Sequence, residues 1–230
     1  MAQHLTEEEQ LEKLKQWWAE NGRFLVIGVL LAVVGYFGWQ TWQSQQQQAR
    51  EEASLLYDDL MSSVERTPGE ALTEEQRLKA DSITQELKSD YGKLLYASNA
   101  ALLMAKLAVE EDDLEQAEQH LRWVLGRNHS EAISLLARLR LGQVLYGQGQ
   151  YERALAALAD AEPGSYTSAY AELRGDILVA KEQPAQAKAA YQVALDELLP
   201  AESNRANIIQ MKLDDIQANA TEAQAAEVDN

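Results

Sequence analysis

The sequence contains no cysteine, which removes disulfide frameworks, thiolate zinc sites, iron–sulfur clusters and thiol nucleophiles together. Histidine is scarce: His4, His120 and His129 are the only three. Their spacing matches no metal-ligand pattern, so surface positions are expected for them. Only 4 prolines and 12 glycines occur in 230 residues. Ala, Leu, Gln and Glu fill the chain instead, residues that lose little rotamer freedom in a helix. An all-α protein follows. Basic residues are outnumbered, 20 Lys and Arg against 37 Asp and Glu, for a formal net charge of -17. Such a field repels nucleic acid, so no nucleic-acid partner is expected.

One apolar run interrupts this polar composition. Phe24 to Trp39 reads FLVIGVLLAVVGYFGW, without a charged residue or side-chain amide, and Gln40-Thr41-Trp42 extend it to a window of transmembrane length, 24–42. Trp18 and Trp39 stand about 31 Å apart along a helix, close to the thickness of a hydrocarbon core. Trp17 and Trp18 at one end, with Trp39 and Trp42 at the other, then form aromatic belts. The preceding region is long and net negative, and no small-residue cleavage site follows the run, which favours an uncleaved anchor over a signal peptide. Lys13, Lys15 and Arg23 precede the span, whereas only Arg50 follows closely. By the positive-inside rule, 1–23 is expected to be a cytoplasmic arm, with the rest of the chain across the membrane. A compartment beyond the membrane is oxidising, which fits the missing thiols. Gly28, Ala32 and Gly35 fall at i, i+4 and i+7 and form a small-residue strip, the expected contact face for another membrane helix.

The remainder carries a repeat. MAKLAVEEDDLEQAEQHL, LGQVLYGQGQYERALAAL and RGDILVAKEQPAQAKAAY each place a small residue (Ala105, Gly142, Gly175) twelve positions before an alanine (Ala117, Ala154, Ala187). These alanines stand 37 and 33 residues apart, the period of tetratricopeptide helix–turn–helix units. The small residue and the alanine lie where the two helices of a unit cross, and a larger side chain would push them apart. Leu121, Leu158 and Tyr191, four residues after the alanines, are expected to fill the space toward the next pair. Arg138 departs from the pattern, standing where an aromatic residue is usual, and Pro184 falls in the third inter-helix turn. The predicted organisation is a linker helix with a degenerate first repeat over 43–93, repeats with a closing helix over 94–216, and a disordered acidic tail over 217–230. Ile209, Leu213 and Ile216 share the buried face of the closing helix.

No catalytic constellation, cofactor loop or metal-ligand cluster emerges, so no enzyme activity is expected. The acidic run Glu110 to Glu115 lacks the glycine and alternating ligands of a calcium loop, and Asp113 reads as a helix cap. What repeats offer is a concave face lined by the first helix of each pair. Aligned units place Asn99, Leu102, Lys106 and Val109, then Leu136, Leu139, Gln143 and Tyr146, then Ala169, Glu172, Asp176 and Val179 on it. This lining has an apolar middle and little concentrated positive charge, which suits a partly apolar chain or a partner's helix.

WWAENGR (17–23) ahead of the span, GWQTW (38–42) at its end and ASLLYDDL (53–60) beyond it, joined to the tetratricopeptide pattern, resemble the bacterial YfgM family over essentially the whole chain. The resemblance implies a single-pass inner-membrane protein with a periplasmic repeat domain, an ancillary subunit of the SecYEG translocon. It further implies a membrane-anchored periplasmic chaperone similar to PpiD as partner, and exported unfolded chains as clients. The alternative is a periplasmic repeat scaffold for cell-envelope or division machinery.

Overall fold

The computed structural model describes residues 7–67, 70–127, 130–159, 162–199 and 203–228, and two of the three histidines, His4 and His129, lie outside them. The described residues are helical apart from short connections, and the helices divide between two compact units, 1–52 and 53–230.

The first unit is one stretch of helix. α1 runs from Glu7 to Ser63, so the expected boundary at residue 42 falls within a continuous helix. Between Phe24 and Trp42 its apolar side chains are exposed, and the segment is long and apolar enough to cross a membrane. At the start of the span the Trp18 indole covers Gly22, where an added Cβ would meet the ring at 3.1 Å. At the other end Thr41 Oγ1 donates to the Phe37 carbonyl at 2.9 Å, so this hydroxyl is satisfied within the helix itself. Gly28 and Gly35 face open space.

The second unit begins with the last turns of α1, which bury Ala53 and Leu60 completely. Helix α2 (Glu74–Asp90) opens with a capping box, in which Thr73 and Gln76 each satisfy the other's backbone N–H. Its buried stripe, Ala80, Ile83 and Leu87, joins Leu60 and the start of α3 (Leu95–Glu110) in one core. Then α3 pairs with α4 (Leu114–Leu125), α5 (Glu131–Gly147) with α6 (Tyr151–Ala159), and α7 (Thr167–Ala180) with α8 (Pro184–Asp196). Pro184 is the first residue of α8 instead of a turn residue, where its missing N–H is one the helix could not use.

The crossings obey the repeat. Ala105, Ala117, Ala154 and Ala187 are buried, the last three with no exposure at all. An added Cβ at Gly142 would stand 3.1 Å from Leu158 Cδ2, and at Gly175 it would press into the Tyr191 ring. Leu158 and Tyr191 thus close over the small residue of their own pair, and at Gly142 Leu173 of the following pair comes as near, at 3.0 Å. The turn inside each of the three pairs contains one left-handed residue, Asp112 (φ 62°), Gly149 (φ 72°) and Glu182 (φ 57°). Each lies five residues before the crossing alanine. The N–H that follows reaches back to Ala108, Leu145 and Leu178 in turn, at 2.9, 2.8 and 2.9 Å, so the same Schellman closure recurs three times. Asp113 then caps α4 by accepting from the Gln116 N–H at 2.9 Å, as its position implies.

Helix α9 (Ser203–Val228) closes the array, with Ile209, Leu213 and Ile216 buried against α7 and α8. The helix runs on to Val228, into the acidic stretch 217–230, whose Ala, Glu and Gln are good helix formers.

Candidate interaction groove

Parallel placement of α3 and α5 opens a groove of about 600 Å³ along the first two pairs. Of the residues expected on the concave face, Leu102, Lys106 and Val109 enter it from α3, and Leu136 and Gln143 from α5. The structure adds Leu103, Ala105 and Glu110, Leu114 and Leu121 from α4, and Arg140, Val144 and Gly147 from α5. A second hollow of about 490 Å³ adjoins it, formed by Met61, Val64, Arg66 and Leu107, and shares Leu103, Lys106 and Glu110 with the groove.

The other expected lining residues go elsewhere. Leu139 is buried in the core, since the stripe that starts at Leu136 returns at Arg140, a full turn later, and leaves Leu139 facing inward. Asn99 is half-buried outside the groove. Tyr146 packs on the core with its ring 5.9 Å from Tyr151, and Ala169 packs there too. Val179 is exposed on α7, away from the groove. Glu172 and Asp176 are taken by the closing helix: Lys212 Nζ donates to Glu172 at 2.9 Å and Asp176 at 2.7 Å, and Arg205 donates to Glu172 at 2.5 Å. Burial works against the charge on Glu172, but these hydrogen bonds and cations outweigh it and hold the carboxyl below its ordinary value. The third pair is therefore covered where the first two are open.

The groove's charges sit at its rim. Glu110 is held by Arg66 and, at 3.6 Å, by Lys106. Arg140 donates to the Gln143 side-chain oxygen at 3.1 Å. Away from the groove, His120 is buried and not on the surface, and Lys88 Nζ from α2 donates to its Nδ1 at 2.8 Å. Burial and the neighbouring Lys88 charge push the His120 pKa down to about 4, and burial pushes Lys88 down to about 8. Lys88 also stands 5.3 Å from the Trp123 ring, whose flank Arg127 approaches to 4.6 Å. Nothing in the sequence pairs Lys88 with His120, because 32 residues separate them. Among the described residues no group of three His, Asp or Glu could hold a metal ion.

An exposed apolar N-terminal helix, followed by paired helices with an open apolar groove, defines a membrane-anchored helical-repeat protein. The tetratricopeptide repeat-like domain family matches residues 15–218. A Haemophilus influenzae protein named "Ancillary SecYEG translocon subunit" is 36% identical over 84% of this chain and 91% of its own length. Proteins of the same name from Aggregatibacter actinomycetemcomitans and Neisseria gonorrhoeae are 32% and 31% identical, each over 94% of this chain and all of their own length. No solved structure matches the chain. The chain belongs to the YfgM family, whose members are named ancillary SecYEG translocon subunits.

Proposed function

We propose that this chain is an inner-membrane interaction protein of the SecYEG translocon that acts by binding, without catalysis. Its N-terminal arm stays in the cytoplasm and its repeats stand in the periplasm, in keeping with Lys13, Lys15 and Arg23 before the span and Arg50 after it. There the repeats bring a membrane-anchored chaperone similar to PpiD to the translocon and assist exported unfolded chains leaving the channel. The Gly28, Ala32 and Gly35 strip serves as a contact face for a neighbouring membrane helix. The observation that carries this reading is full-length similarity to ancillary translocon subunits in a chain whose first two repeats keep an apolar groove open. Anchoring such a groove near the channel raises its local concentration there, so modest affinity suffices.

The test is to extract the tagged full-length protein from membranes in mild detergent and identify its companions by mass spectrometry, alongside residues 43–230 exported without the anchor. Translocon subunits and a membrane chaperone are the expected recovery. Division or cell-wall proteins in their place would favour an envelope scaffold.

A further inference from the structure

We propose that the groove between α3 and α5 receives one face of an amphipathic helix from a partner protein, anchored by an acidic side chain on Arg140. This rests on the interaction role proposed above and narrows it: the guest is a folded helix, not an extended exported chain.

Two features of the groove carry the inference. Its floor is apolar, with Leu102, Leu136 and Val144 prominent and few polar side chains available to a guest backbone. An extended guest would lay unpaired N–H and C=O groups against leucine, whereas a helix satisfies them within itself. The stripe from Leu136 to Gly147 spans about 16 Å of helix axis, room for three guest turns with apolar residues at i, i+3, i+4 and i+7.

Charge then selects the edge of that helix. The chain carries -17 overall, yet Lys106 from α3 and Arg140 from α5 both line the groove, and the one acid lining it, Glu110, is already held by Arg66 and Lys106. The Arg140 guanidinium is exposed and bonds the neutral amide of Gln143; among the described residues no carboxylate pairs with it. A guest carboxylate would replace that neutral partner with a charge-assisted, bidentate one.

The test titrates full-length protein in lipid nanodiscs, with empty discs as reference, against a fluorescent synthetic helix of about 18 residues, long enough to hold helical structure. It carries a leucine stripe with one flanking glutamate. Two control peptides replace that glutamate by lysine, or place a proline at the centre of the same composition. The glutamate helix is expected to bind at least about tenfold tighter than its lysine twin, a difference near 1.4 kcal/mol. Arg140→Glu should reverse that order and Arg140→Gln should level it, both variants keeping the wild-type melting temperature. Equal binding of the twins, no binding of either, an order unmoved by Arg140→Glu, or a proline peptide binding as tightly as the helix would each overturn the proposal. The last of these would assign the groove to unfolded chains. Recovery of translocon subunits by the wild type is a separate readout: it survives if only the groove assignment fails, and its absence defeats the translocon role whatever the peptides do.

Discussion

The Tyr191 ring lies directly over Gly175, so that a Cβ added there would stand closer than 3.0 Å to the ring. The ring has little freedom to retreat, because its hydroxyl donates to Asp176 Oδ1 at 2.6 Å. Gly175→Ala is expected to cost about 1–3 kcal/mol by overpacking, read from urea unfolding of the full-length protein. Gly126→Ala, where an added Cβ meets its neighbours at 3.5 Å, should be neutral or mildly stabilising. Equal midpoints for the two variants would mean that the third crossing is loose.

The recurring left-handed turn residue makes an opposite prediction. Glu182 (φ 57°) holds a conformation that suits glycine, which Gly149 supplies in the second turn. Glu182→Gly should stabilise by up to about 1 kcal/mol, the relief of strain being partly offset by a freer unfolded chain. Gly149→Val should destabilise by a similar or larger amount. Differential scanning calorimetry would settle both signs, and a less stable Glu182→Gly protein would refute the shared closure.

His120 sets a window of acid sensitivity. Its folded-state pKa is depressed from 6.5 to about 4 by burial and then by the Lys88 charge, so the fold favours the neutral ring. Stability from this group is complete above 6.5 and is lost as pH falls from there through about 4. In His120→Gln the amide oxygen can still accept from Lys88 without titrating, and the slope of stability across that window should flatten. An unaltered slope, measured by urea midpoints at stepped pH, would place the titration elsewhere.

Glu172 acts at lower pH. Its carboxyl is held below 4.5, burial being outweighed by hydrogen bonds from Arg205 and Lys212, so its contribution is lost only as pH falls through that lowered value. Lys212→Ala removes the shared cation from Glu172 and Asp176 and is expected to cost about 1–2 kcal/mol at neutral pH, discounted for partial exposure. It should also move the acid limb upward in pH. Hydrogen exchange should show the loss concentrated in α9, and a loss spread evenly through the array would argue against a local clasp.

The sequence discloses the crossings better than the surface. Ala117, Ala154 and Ala187 are legible because a crossing tolerates nothing larger, and steric exclusion leaves a mark at a fixed period. The apolar stripe Ile209, Leu213 and Ile216 is legible for a related reason: buried positions on a helix recur every three or four residues. The groove is half-legible. Leu102, Lys106, Val109, Leu136 and Gln143 follow from helical spacing alone, but a step of three where the turn needs four points to Leu139 in place of Arg140. Helical spacing says nothing of how Glu172 and Asp176 are covered, since the cation that covers them, Lys212, lies 40 and 36 residues farther along the chain. The same holds for Lys88 and His120. Local periodicity records what a helix must hide, and ion pairs between distant helices leave no periodic trace.

The three crossings join helices that are neighbours in sequence, so each pair closes its own core over a short loop. Closing short loops costs little chain entropy, and proteins built from such local contacts fold quickly. A chain of this kind can acquire structure from its N-terminal side while its later segments are still unfinished, each completed pair offering a template for the next. The helix that covers Glu172 and Asp176 is made after all three pairs, so its ion pairs can latch only onto an array already in place.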